Sequence, residues 1–172
     1  MENESNATPL ESVQAVIEIP RGSRNKYEMD HTTGRLHLDR VLYSSVHYPA
    51  DYGFIPETLA EDNDPLDILV LVQEPTFPGC IVPARPVGGL DMHDEKGSDF
   101  KIVAVPVGDP RYAHVHDLAE LGDHWPREIE TFFATYKLLE QKDTEVLGWH
   151  DAAEAAAVIE RCRERYRASG HA

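Results

Sequence analysis

Residues 61–70 read EDNDPLDILV: four acids, Glu61, Asp62, Asp64 and Asp67, fall within seven positions and run directly into the apolar stretch Ile68, Leu69, Val70, Leu71 and Val72. An apolar run of this length, bounded by Asp, Asn and Pro, reads as a short buried strand behind a turn. Turn chemistry does not account for three aspartates held together beside a core. Two carboxylates ~4 Å apart repel by ~4 kcal/mol at an effective dielectric of 20, so a fixed cluster needs a cation or raised pKa values.

Similar strand patterns lie on either side. Val13, Ala15, Ile17 and Ile19 share one side of a period-2 segment and leave Glu18 on the other. Further strand-like pieces are RLHLDRVL (35–42), CIVPARPVGGL (80–90) and FKIVAVPV (100–107), separated by turns rich in Gly, Pro and Asp. Two helical patterns follow. Ile129, Phe132, Phe133 and Tyr136 recur at helical spacing, and Asp151 can cap the Ala-rich run that continues through Ile159, Cys162 and Tyr166. Many strands before few helices, without the intervening helices a parallel sheet requires, predict an α+β domain built on a small twisted barrel with the helices packed outside. Residues 1–12, polar and acidic without period, read as a flexible lead, and 13–172 as a single domain.

Sixteen basic against thirty-one acidic residues give the 172-residue chain a formal charge of −15, which argues against nucleic acid or an anionic membrane as partner. Cys80 and Cys162 lie far apart with no C-x-x-C spacing, nothing resembles a secretory leader, and no run of eighteen apolar residues exists. A soluble, cytoplasmic protein is expected.

Asp94, Glu95 and Asp99 form a second acidic cluster before another apolar strand. If the two strands are neighbours, five or six carboxylates converge into an all-oxygen site suited to Mg²⁺, Mn²⁺ or Ca²⁺. An EF-hand register starting at Asp62 fails, since Asp67 falls where glycine is required and Gln73 where a bidentate Glu is required. Basic and phenolic groups supply the other half of a phosphate site. Lys26 and Glu28 share a face of an extended segment, Arg40, Tyr48 and Tyr52 are near in sequence, and Asp99 and Lys101 project from one side of their strand. Tyr136 and Lys137 are adjacent, about 100° apart on a helix, so only one can face the core fully. His31 and the His114-x-His116 pair read as surface turns.

DNDPLDI, with VIEIPRGSRNKYE, LDRVLYSSVHYPADYGFIPETL, DEKGSDFKIVAVP and FFATYKLLE, resembles the soluble inorganic pyrophosphatases of family I over about Val16 to Glu140. The resemblance implies a highly twisted five-stranded OB-like barrel, Mg²⁺ dependence with Mn²⁺ or Zn²⁺ as substitutes, and a homohexamer. It implies Glu18, Asp62, Asp67, Asp94 and Asp99 as metal ligands and Lys26, Arg40, Tyr52 and Tyr136 as substrate contacts. Glu28, Tyr48, Glu95, Lys101 and Lys137 would line the same cavity, with Asp64 the usual general-base candidate and Asp99 its competitor.

The expected reaction is hydrolysis of diphosphate by in-line attack of a hydroxide bridged between metal ions, with no covalent enzyme intermediate, because cations must invert the sign of an acidic site before it can receive a polyanion. A nucleoside triphosphate or polyphosphate hydrolase is the nearest alternative, though the chain has no G-x-x-x-x-G-K-[ST] loop. A noncatalytic OB-type phosphate binder is the other, and it would gain nothing from a base at Asp64.

Overall fold

Apolar runs in the chain become strands that are covered on both faces. In the computed structural model, which describes residues 12–170, the strands are β1 (Val13–Ile19), β2 (Asn25–Asp30), β3 (Arg35–Val41), β4 (Asp51–Ile55), β5 (Leu66–Val70), β6 (Ile81–Asp94), β7 (Gly97–Ser98), β8 (Lys101–Pro106) and β9 (Glu145–Asp151). The helices are α1 (His124–Thr135) and α2 (Ala152–Ala168). The expected N-terminal lead falls almost wholly outside the described residues. No helix among the described residues is long and apolar enough to cross a membrane.

Five strands close a ring. β1 pairs with β4, β4 with β5, β5 with β8, β8 with β6, and β6 returns to β1; all of these pairs are antiparallel except β5 with β8. Numbering the ring strands one to five along the chain, their order is 1-2-3-5-4-1, a closed barrel without free edges, as the OB-like expectation requires. The hairpin of β2 and β3 forms a separate two-stranded sheet, and β9 extends the ring beside β6. β9 was not expected from the sequence.

β5 and β8 are buried on both faces, which explains why their sequences run apolar without alternation. Leu66, Ile68, Val70, Ile102 and Ala104 join a core that also holds Ala155, Ile159 and Cys162 of α2. Leu69, Val103 and Val105 join a second core with Ile129, Phe132 and Phe133 of α1. Asp151 caps α2 as expected, accepting from Glu154 N at 2.9 Å.

The β1 reading needs one correction. Val13, Ala15 and Ile17 enter the α2 core, but Ile19 enters the α1 core. A β-bulge between Ile17 and Ile19 shifts the register against β4, and the extra residue is Glu18.

Candidate active site

The barrel register gathers residues that the sequence scatters. Asp67 on β5 lies directly beside Lys101 on β8, and Tyr52 and Phe54 of β4 face Leu69 and Asp67 across the antiparallel pair. Lys26 and Arg40 are cross-strand partners in the β2–β3 hairpin. Asp94 ends β6 where the chain turns back through β7, and this return brings Glu95 and Asp99 to the same end of the ring.

These elements enclose a cavity of about 370 Å³. Its wall includes Glu18, Lys26, Glu28, Arg40, Tyr52, Asp62, Asp64, Asp67, Asp94, Glu95, Asp99, Lys101, Tyr136 and Lys137. Tyr48 is the one expected lining residue that stands elsewhere. At 1% exposed, it packs behind the wall, with its ring 5.4 Å from Tyr52 and 4.7 Å from Phe132. Tyr136 joins the α1 core, whereas Lys137, just past the end of α1 at Thr135 and at φ −104°, ψ 4°, is buried against the acids of the cavity wall.

Lys101 organises the floor. Its ammonium, on a side chain 2% exposed, donates to Tyr52 Oη at 2.8 Å, to Asp67 Oδ2 at 2.9 Å and to both oxygens of Asp99 at 3.0 and 3.1 Å. Burial alone would depress it, but Asp67, Tyr52 and Asp99 hold it well above the usual lysine range, so it stays charged. Burial pushes Tyr52 and Tyr136 up, so both remain neutral phenols able to donate. Lys137 meets Asp94 at 3.6 Å and Glu95 at 3.4 Å.

Sequence reasoning missed several members. Asp39 joins the wall and accepts from Lys26 at 3.1 Å, and Lys142 stands 3.8 Å from Glu95. Glu140 meets Arg40 Nη1 at 2.9 Å with a carboxylate only 4% exposed. His31 does occupy an exposed turn, yet it also reaches the wall, its ring edge-on to Phe54 at 4.8 Å. The hairpin pairing would have found Asp39, since it precedes Arg40 opposite Lys26; nothing in the sequence marks Glu140.

Nine carboxylates and six basic side chains line the cavity, so its own field opposes a polyanion. Among the described residues no three His, Cys, Asp or Glu side chains stand at metal-holding distance, and the Lys101 ammonium bridges Asp67 and Asp99. The donor chemistry nonetheless fits a hard divalent cation: the acids offer only oxygen, and Asp62 and Asp64 carry no ion pair among the described residues. Burial also raises the Asp62 and Asp99 carboxyls, the cost that a cation would relieve.

Glu18 shows that cost most clearly. Burial, partly offset by the Met29 amide donating to Oε2 at 2.7 Å and reinforced by Asp67, pushes its carboxyl from 4.5 up to about 7. Between these values the folded chain keeps a proton that the unfolded chain has lost, so the stabilisation present below pH 4.5 is lost as pH rises through 7. The loss is about 3 kcal/mol at most. Thermal unfolding of the metal-free protein should therefore show Tm falling between pH 5 and 7.5, with the slope flattened by several degrees in Glu18→Gln.

The inorganic pyrophosphatase family model matches residues 15–167. The inorganic pyrophosphatase of Synechocystis sp. is 52% identical over 155 residues, 90% of this chain and 92% of its own. That of Leifsonia xyli is 51% identical over 163 residues, covering 94% of this chain and all of its own. The crystal structure of inorganic pyrophosphatase from Thermus thermophilus superposes with a TM-score of 0.88 at 45% identity, over 96% of this chain and 95% of that one. On family match, relatives and fold together, the chain belongs to the family I inorganic pyrophosphatases, enzymes of the diphosphatase class.

Proposed function

We propose that the cavity binds inorganic diphosphate together with Mg²⁺ and directs water against one of its phosphorus atoms. The observation that carries this reading is one cavity whose wall holds Asp62 and Asp64, without an ion pair among the described residues, together with Lys26 and Arg40. Glu18, Asp62, Asp67, Asp94 and Asp99 would hold the cation. When bound, Mg²⁺ supplies positive charge for the phosphoryl oxygens and makes nearby water a stronger acid.

The chain's own groups then have separate tasks. Lys26, as a point charge, and Arg40, as a planar fork, draw the phosphate oxygens to one wall. Asp39 and Glu140 fix those two cations, which would otherwise repel each other across the hairpin. Tyr52 accepts from Lys101, which leaves its own hydroxyl hydrogen for a phosphate oxygen, and Tyr136 donates likewise. Water attacks in line, its oxygen bonding to one phosphorus as the bridging P–O bond breaks. The bridging oxygen departs with the electron pair on the second phosphate, whose charge Lys26 and Arg40 offset.

Asp64 takes the proton. Among the described residues its carboxylate carries no hydrogen bond, whereas Asp99, the competing base, is engaged twice by Lys101. Among the described residues no serine, threonine or cysteine lines the cavity to serve as a nucleophile, in keeping with direct attack by water. Family likeness also supports a homohexamer in the cytoplasm, and exposed Tyr43, Phe77, Ile81, Leu138 and Leu139 supply apolar surface for assembly. Mass in solution tests that assembly.

Asp64→Asn should keep Mg²⁺ binding and cut diphosphate turnover by at least ~10²-fold. Unchanged turnover rejects Asp64 as base. Orthophosphate release from diphosphate, ATP and tripolyphosphate, compared in Mg²⁺, tests the substrate: diphosphate should be fastest, and faster release from ATP would contradict the proposal.

A further inference from the structure

Asp62 and Asp64 stand on the connection between β4 and β5, residues 56–65, so whatever holds that connection decides where the two carboxylates sit. Its base is closed by buried Thr58, whose hydroxyl donates to Ile55 O at 2.5 Å and accepts from Leu66 N at 2.9 Å. Its tip is a self-bonded turn. Ala60 N donates to Asp64 O at 2.8 Å, Asn63 N to Ala60 O at 3.1 Å, and Asp64 N to Asp62 Oδ1 at 3.0 Å, with Asn63 in the left-handed region at φ 67°. Bonded in this way, the tip moves as one piece, and what matters is how it is tied to the rest of the protein.

The tie runs to α2. Leu59 N donates to Cys162 O at 3.0 Å, and Arg165 Nη1 donates to Leu59 O at 3.0 Å, joining positions 106 residues apart. Between α2 and this connection lies a second cavity of about 210 Å³, whose lining includes Ala60, Glu61, Cys162 and Arg165. Ala60 packs against the α2 core beside this cavity, and the two Leu59 hydrogen bonds tie the main chain of the connection to α2. α2 itself is firmly placed, with Ala155, Ile159 and Cys162 buried in the core.

We propose that Arg165 is a positioning residue: through Leu59 it fixes the Asp62–Asp64 turn and so sets the affinity of the catalytic cavity for divalent cation. The inference rests on the proposed role of Asp62 as a cation ligand. Arg165 does not line the catalytic cavity, and it reaches the turn through its hydrogen bond to Leu59 O.

The test is calorimetric titration of Mg²⁺ into the metal-free protein, alongside amide hydrogen exchange at Leu59, Ala60 and Asn63. Arg165→Met, which keeps the stem and removes the donor, should weaken Mg²⁺ binding about tenfold and speed exchange at the Leu59 amide, which donates to α2, while the Ala60 and Asn63 amides, bonded within the turn, exchange as in wild type and kcat at saturating Mg²⁺ stays within about threefold. Arg165→Lys, still able to donate to Leu59 O, should recover most of the affinity. Ile159→Val loosens α2 in the core without touching the tie; it should lower Tm and leave Mg²⁺ affinity unchanged. Wild-type Mg²⁺ affinity in Arg165→Met overturns the inference, as does an equal weakening in Ile159→Val. Asp62→Asn separates the two levels: if it binds Mg²⁺ as tightly as wild type, the reading of the site fails and takes the inference with it.

Discussion

Gly53→Ala is expected to leave little folded protein. A Cβ on Gly53 would stand 1.9 Å from Val16 O, 2.8 Å from Val16 C and 2.9 Å from Ile17 Cα. All three are main-chain atoms of β1, so no side chain can swing aside to make room. Relief requires β1 and β4 to part by about 1 Å or more, at the one seam where the barrel joins its first strand to its second. The same seam carries the Glu18 bulge, and the close approach at Gly53 is what lets β1 pass its extra residue against β4. A backbone clash of this kind should cost at least about 3 kcal/mol, against a total stability of order 5–15 kcal/mol. Soluble yield and thermal unfolding measure it. A Gly53→Ala protein with wild-type Tm would mean that the ring is not closed through this contact.

Lys101→Met should give the second large effect, and one that responds to metal. Met keeps an apolar stem between Tyr52 and Phe133, whose rings lie 5.1 Å from the Lys101 ammonium. It removes the charge that Asp67 and Asp99 share. Taking one member from a buried charged cluster costs about 3–5 kcal/mol, because the remaining charges stay buried without compensation. The metal-free variant should therefore unfold many degrees below wild type. Mg²⁺ should then raise its Tm by more than it raises that of wild type, because the cation takes over the neutralisation that the ammonium supplied. An unchanged metal-free Tm would show that Lys101 does not carry the floor of the cavity.

Much of this site could be read from the chain, and the reasons for the exceptions are physical. DNDPLDI announces both a strand and an acid cluster because burial on two faces forces an unbroken apolar run, and the register then fixes Asp67 beside Lys101. Period-2 reasoning failed at Glu18, since a bulge adds a residue without any composition signal. β9 escaped because its sequence, EVLGWHD, mixes polar and apolar residues on a strand that is only partly covered. Tyr48 was expected at the cavity by its nearness in sequence to Tyr52 and by the family resemblance, but it is buried in the core behind Tyr52, which reaches the cavity wall. Asp39 and Glu140 became visible only once the hairpin and the turn after α1 had brought Lys26 and Arg40 to them.

The account depends on cations reversing the sign of an acidic cavity. Calorimetric titration of diphosphate into the Asp64→Asn protein, with and without saturating Mg²⁺, tests this directly because slow turnover leaves binding to be read on its own. Diphosphate should bind in Mg²⁺ and give no detectable heat in the metal-free protein. Equal binding without metal would contradict the account.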